Sequence, residues 1–205
     1  MHPEIFSTEQ RELLPLVNKF SEEYYLVGGT AIALQIGHRM SVDFDLFSPD
    51  KIKRKKIKRI IDESGFMKDD IIYEADEQLH IPVNSVKMTF YCFPHPVEHA
   101  VWLEKTISMP GLLDLAAMKA YALGGRAKWR DYVDLYFLLK YHHTFLEINK
   151  RAYELFDNFF NPRLFREELS FFSDIDYDQP IQFIGSPISE EEIKNFLTDV
   201  ATQPF

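Results

Sequence analysis

The stretch YYLVGGTAIALQIGHRMSVDFDLFS, Tyr24 to Ser48, constrains the fold more than any other part of the chain. An apolar run ends in Gly28-Gly29, a short helix-forming segment follows, and a second apolar run carries Asp43 and Asp45. Val42, Phe44 and Leu46 alternate with the two acids at the period of a strand. Both carboxylates then project from one face, and the apolar side chains enter a core on the other. Two carboxylates held this close repel, and one is driven toward protonation unless a cation compensates. Two readings follow: polar residues at a strand end, or oxygen ligands for Mg²⁺ or Mn²⁺ binding together with substrate phosphates.

The glycines bear on the choice. A strand, Gly-Gly and then a helix start give a helix N-terminus with open backbone access, which is an anion-binding geometry. Thr30 is expected to cap that helix, which runs through Gln35 and stops at Gly37. Neither G-x-x-x-x-G-K-[ST] nor G-x-G-x-x-G occurs, so this is not a Walker loop or a dinucleotide fingerprint. Gly29 and Asp43 are 14 residues apart. That spacing accommodates a short helix and a returning strand, so the two features can meet at one end of a sheet.

The same reading predicts a helix over 8–21 capped by Ser7, with Pro15 inside it, and a strand over 24–27. Ser48-Pro49 is expected to open a helix reaching about Ser64. Strands are expected over 71–75, 78–81 and 85–93, with a short one at 101–105. From Gly111 the periodicity is helical, over 112–123, 130–142, 145–160, 163–172 and 189–200. An α+β head over 1–110 and a helical region over 111–205 packed on it are the expected domains, with the cleft between them as the default site.

Charge is uneven. The net charge is −9, yet Lys51, Lys53, Arg54, Lys55, Lys56, Lys58 and Arg59 form a run without an acid. This basic element reads as a solvated face or as a contact for the phosphates of an RNA such as tRNA. Cys92 is the only cysteine, which fits a reducing compartment and excludes an internal disulfide. No apolar run approaches the roughly 18–20 residues of a membrane span, and the N-terminus lacks signal-peptide character. A cytoplasmic protein is expected.

The order strand, Gly-Gly, helix and D-x-D strand resembles the DNA polymerase β-like nucleotidyltransferase superfamily. More closely, LVGGTAIALQIGHRMSVDFDLF and LLDLAAMKAYALGGRAKWRDYVDLYFLL, residues 112–139, are similar to the AbiEii/AbiGii-type nucleotidyltransferase toxins. The resemblance implies a polymerase β-like head, a mixed sheet with flanking helices, followed by an α-helical region. It implies an NTP substrate held at Gly28, Gly29 and Thr30, with Arg39 and Ser41 reaching its phosphates. It implies metal-binding carboxylates at Asp43 and Asp45, a triphosphate contact at Lys119, and a base or orienting acid at Asp131 with Asp134 beside it. It also implies transfer of a nucleoside monophosphate to RNA or protein, and a cognate antitoxin. The superfamily's usual third carboxylate has Thr89 in its place, which keeps open a binding module without turnover.

Overall fold

The structure, a computed structural model, describes residues 1–203. The chain divides into two compact units, Met1–Gly111 and Leu112–Phe205.

The first unit is built on a mixed sheet in the order β1-β2-β5-β4-β3. Its strands are β1 (Tyr25–Val27), β2 (Asp43–Ser48), β3 (Tyr73–Glu74), β4 (Gln78–Val83) and β5 (Val86–Cys92). β2 and β5 run parallel, and the remaining pairs are antiparallel. Helix α1 (Thr8–Asn18) begins at a reciprocal cap: Ser7 Oγ accepts from Gln10 N, and Gln10 Oε1 accepts from Ser7 N. It continues through Pro15. Helix α2 (Gly28–Ile36) follows β1 without a linker and ends at Gly37, whose φ of +68° closes the last turn. Helix α3 (Arg54–Asp62) buries Ile57 and Ile61. Strands β4 and β5 join through Asn84 and Ser85, both at positive φ, the backbone of a tight hairpin. A separate hairpin pairs β6 (Val101–Leu103) with β7 (Ile107–Met109).

One sheet face is the core. Phe44 and Leu46 of β2, Leu79 and Ile81 of β4, and Met88 and Phe90 of β5 are fully buried. The rings of Phe20 and Tyr24 pack edge-on against Phe90, and Phe6 packs tilted against Phe44. Burying each large side chain contributes about 1.5–3 kcal/mol. This fixes the pairing register, because a slip of one residue would bury Asp43 and Asp45 instead.

The second unit is helical: α4 (Leu112–Leu123), α5 (Trp129–Tyr141), α6 (Phe145–Phe156), α7 (Pro162–Glu168) and α8 (Glu190–Thr202). Thr144 and Glu147 form a reciprocal cap on α6, and Ser189 caps α8. Tyr121 stacks on Phe156, and Phe145 on Phe165.

Several expected boundaries move. The helix expected from Pro49 starts at Arg54, because Ser48 belongs to β2 and its hydroxyl accepts from Asp50 N in a turn. Thr30 lies inside α2 rather than at its cap. Val42 precedes β2 and is 47% exposed, so it does not join Phe44 and Leu46 in the core. The strand at 71–75 shrinks to Tyr73–Glu74, and the helices at 145–160 and 163–172 end at Phe156 and Glu168. Strand β7 has no counterpart in the sequence reading; its three residues are too few to show a period.

Candidate active site

Alternation along β2 places Asp43 and Asp45 on the face opposite Phe44 and Leu46. The two acids differ in their surroundings. Asp43 registers with Lys87 on β5, and the Lys87 Nζ lies 3.2 Å from Asp43 Oδ2. Asp45 registers with Val27 on one side and with Thr89 on the other. Its carboxylate has no hydrogen bond or ion pair among the described residues.

Gly28 brings the start of α2 against this acid. A β-carbon built on Gly28 would lie 2.4 Å from Asp45 Oδ2, far inside contact distance. Gly28 also sits at φ +72°, where L-residues are strained. The first peptide of α2 and the Asp45 carboxylate are thus neighbours only because residue 28 has no side chain.

A polar network positions the Asp43 backbone. Thr30 Oγ1 donates to Asp43 O at 2.5 Å and is hydrogen-bonded to Ser41 Oγ. Gln10 Nε2 donates to Ser41 Oγ at 3.3 Å and to Asp43 O at 3.4 Å. Thr30 and Ser41 are each 3% exposed, so their side chains brace β2 from inside. Arg39 is equally buried and donates to Met40 O. The resemblance places these three side chains at the nucleotide phosphates; all three are buried, and Thr30 and Ser41 bond to each other and to the Asp43 backbone. The sequence reading also missed Gln10, although an amide in line with Leu13 and Val17 on the buried face of α1 was a signal.

The residues fit a divalent cation of the Mg²⁺ type through two hard oxygen donors on one face, one of them without a protein partner. No group of three or more His, Cys, Asp or Glu side chains that could hold a metal occurs among the described residues. Remaining ligands would come from nucleotide and water. Thr89, the register neighbour of Asp45, is 6% exposed and carries no charge. Glu74 and Asp76 are engaged with Lys58 and Arg54.

In the second unit, Lys119 of α4 meets two acids of α5. Its ammonium is bonded to Asp131 Oδ1 and lies 3.0 Å from Asp134 Oδ2. All three residues are buried. Arg126 Nε donates to the second oxygen of Asp131 at 3.2 Å, and the Arg126 side chain is 52% exposed. Burial raises the Asp131 pKa, but the Lys119 and Arg126 charges outweigh it and hold it below the ordinary value. A carboxylate so held, with both oxygens engaged, is a poor proton acceptor. Arg126 is the exposed cation of this cluster, and the sequence reading did not single it out.

The basic run is largely neutralised within its own unit. Glu23 pairs with Lys53 and Lys56, Glu74 with Arg54 and Lys58, and Glu63 with Arg59. Lys51 and Lys55 are exposed and have no ion pair among the described residues.

A family model described as nucleotidyl transferase AbiEii toxin, type IV toxin–antitoxin system, matches residues 16–203. The chain belongs to the AbiEii family. A protein of Aquifex aeolicus (strain VF5), named uncharacterized protein aq_aa25, is 34% identical over 142 residues, covering 65% of this chain and 67% of that protein. MenT4, a nucleotidyltransferase toxin from Mycobacterium tuberculosis H37Rv, has a similar structure. Its TM-score is 0.62 at 14% identity, over 95% of this chain and 82% of MenT4. JHP933 from Helicobacter pylori gives a TM-score of 0.56 at 19% identity, over 96% and 91%. The fold is that of the polymerase β-like nucleotidyltransferases, and family membership makes the chain a nucleotidyltransferase of toxin–antitoxin type. Among the described residues, no helix is long and apolar enough to cross a membrane.

Proposed function

We propose that this AbiEii family member transfers a nucleoside monophosphate from an NTP to an RNA or protein acceptor, with Asp43 and Asp45 as ligands of Mg²⁺ or Mn²⁺. The observation that carries the reading is the placement of the open Asp45 carboxylate against Gly28 at the start of α2. Backbone N–H groups at that helix start favour an anion, and the two carboxylates Asp43 and Asp45 on one strand face favour a cation beside it. Asp43 and Asp45 would hold a divalent ion there, which would supply positive charge against the phosphates. Gly28 and Gly29 would hold the phosphates by their amides, while Gln10, Thr30 and Ser41 keep β2 in place. The acceptor oxygen or nitrogen attacks the α-phosphorus, the bond to the bridging oxygen of the β-phosphate breaks, and pyrophosphate leaves. The acceptor's proton passes to water.

Lys119 and Asp131 enter this proposal through the family resemblance. Their geometry supports a positioning part for Asp131, which holds both Lys119 and the exposed Arg126. For an RNA acceptor, Lys51 and Lys55 are the cations of the basic run left to contact phosphate. The toxin family implies a cognate antitoxin, and we take one to be the biological counterpart of this chain.

A second reading has its own observation. The β5 neighbours of Asp43 and Asp45 are Lys87 and Thr89, not an acid. A protein that binds nucleotide without turnover would tolerate this. Incubation with each NTP labelled on the α-phosphate, Mg²⁺, and total tRNA or cell lysate separates the two. Label transfer abolished by Asp43→Asn and Asp45→Asn supports transfer; nucleotide binding without transfer for all four NTPs supports the binding module.

A further inference from the structure

We propose that Lys87 is a positioning residue of this site: it holds the Asp43 carboxylate until cation and nucleotide arrive, then turns its charge to the phosphates. The proposal rests on the nucleotidyltransferase reading above.

Lys87 and Asp43 are register partners on adjacent parallel strands, so their side chains leave the sheet on the same face. Their polar atoms are 3.2 Å apart, with side chains 29% and 15% exposed. The pair is shielded enough to matter and open enough to be broken. Two positions along the same strands, Asp45 faces Thr89 and has no ion pair among the described residues. One acid is thus held and the other open. Asp45 is open to a cation as it stands, whereas Asp43 would join it only as Lys87 lets go.

Charge gives Lys87 opposite effects on two ligands. Against a bare divalent cation it is a competitor, because it occupies Asp43 and adds positive charge. Against a polyphosphate it is an attractor, because its positive charge offsets part of the negative charge that the two carboxylates turn toward the phosphates. A long lysine stem can swing its ammonium from one to the other without moving β5. In a chain with Thr89 at the neighbouring position, this mobile single charge is what β5 offers the site.

The test is Mn²⁺ binding to the full chain, followed by electron paramagnetic resonance of free Mn²⁺, with and without a nucleotide carrying a non-cleavable α,β-bridge. Lys87→Met is expected to bind Mn²⁺ alone about twofold to fivefold more tightly, as for loss of a partly exposed ion pair. It is expected to bind the nucleotide about twofold to fivefold more weakly. Lys87→Arg keeps the charge and is expected to stay close to wild type in both. A misfolded variant would weaken both together. If Lys87→Met leaves Mn²⁺ affinity unchanged or lowers it, the proposal is overturned. Asp43→Asn and Asp45→Asn locate the failure. If they abolish Mn²⁺ binding while Lys87→Met has no effect, only the role of Lys87 falls. If wild type shows no aspartate-dependent Mn²⁺ binding, the metal-site reading falls with it.

Discussion

The Asp45 Oδ2 lies 2.4 Å from the point where a β-carbon on residue 28 would sit, so Gly28 and Asp45 share a space that only glycine leaves open. Gly28→Ala must move the carboxylate and hold alanine at φ +72°. Strain of that kind costs about 1–3 kcal/mol. Urea unfolding should report a loss in that range, and Mn²⁺ affinity should fall alongside it. Unchanged metal affinity in a folded Gly28→Ala protein would separate the glycine from the site.

Gln10 links the cap of α1 to the strand that carries the acids. Gln10→Leu fills the volume but removes the amide from Ser41, Asp43 and Ser7. Lost hydrogen bonds and the weakened cap together should cost about 1–2 kcal/mol. Nucleotide transfer should fall more than stability alone explains, because the Asp43 backbone loses a brace. Thermal unfolding and single-turnover transfer measured on the same samples check this.

The Lys119–Asp131–Asp134 cluster is buried, so Lys119→Met takes one cation from two buried acids and leaves Arg126 on Asp131. Lys119→Met should destabilise the chain by about 3–5 kcal/mol. Asp131 supplies a pH signature. Its folded pKa lies below the ordinary value of 3.8, so its stabilising share is present above that value. That share is lost as pH falls through the lowered folded value. Asp131→Asn should therefore flatten the decline in stability below about pH 4. An unchanged acid limb in denaturant melts from pH 7 to pH 2.5 would contradict the ion-pair geometry.

For an RNA acceptor, the pairing of α3 with Glu23, Glu63 and Glu74 predicts unequal lysines. Lys51→Gln with Lys55→Gln should lower the slope of log affinity against log salt by up to about two units. Lys53→Gln with Lys56→Gln should change it less, since Glu23 already takes those charges. Filter binding of tRNA across a salt series measures both slopes.

The sequence made the acids visible because β2 alternates and its apolar residues fill one core face. The Gly-Gly turn was visible because a strand and a helix flank it. What surrounds the acids was not visible. Lys87 and Thr89 reach them through pairing between strands some 40 residues apart, and local pattern carries no information on which strands pair or in what register. Thr30, Arg39 and Ser41 looked like phosphate contacts because they are polar and close to the acids in sequence. All three are buried, and Thr30 and Ser41 brace the Asp43 backbone from inside. The basic run looked like a free charged face because Glu23 and Glu74, which take four of its cations, come from other segments. Lys119 and Asp131 were legible as a pair by resemblance, whereas Arg126, in the loop between their helices, had no periodic neighbour to mark it.

The central claim is that Asp43 and Asp45 serve transfer of a nucleoside monophosphate. It is tested most directly by giving wild type and Asp45→Asn one NTP labelled on the α-phosphate or on the γ-phosphate, with Mg²⁺ and an RNA-containing lysate. The account predicts that wild type attaches the α-label to a macromolecule and releases the γ-label in pyrophosphate, and that folded Asp45→Asn does neither. Equal α-label transfer by both proteins, or transfer of the γ-label instead, would contradict it.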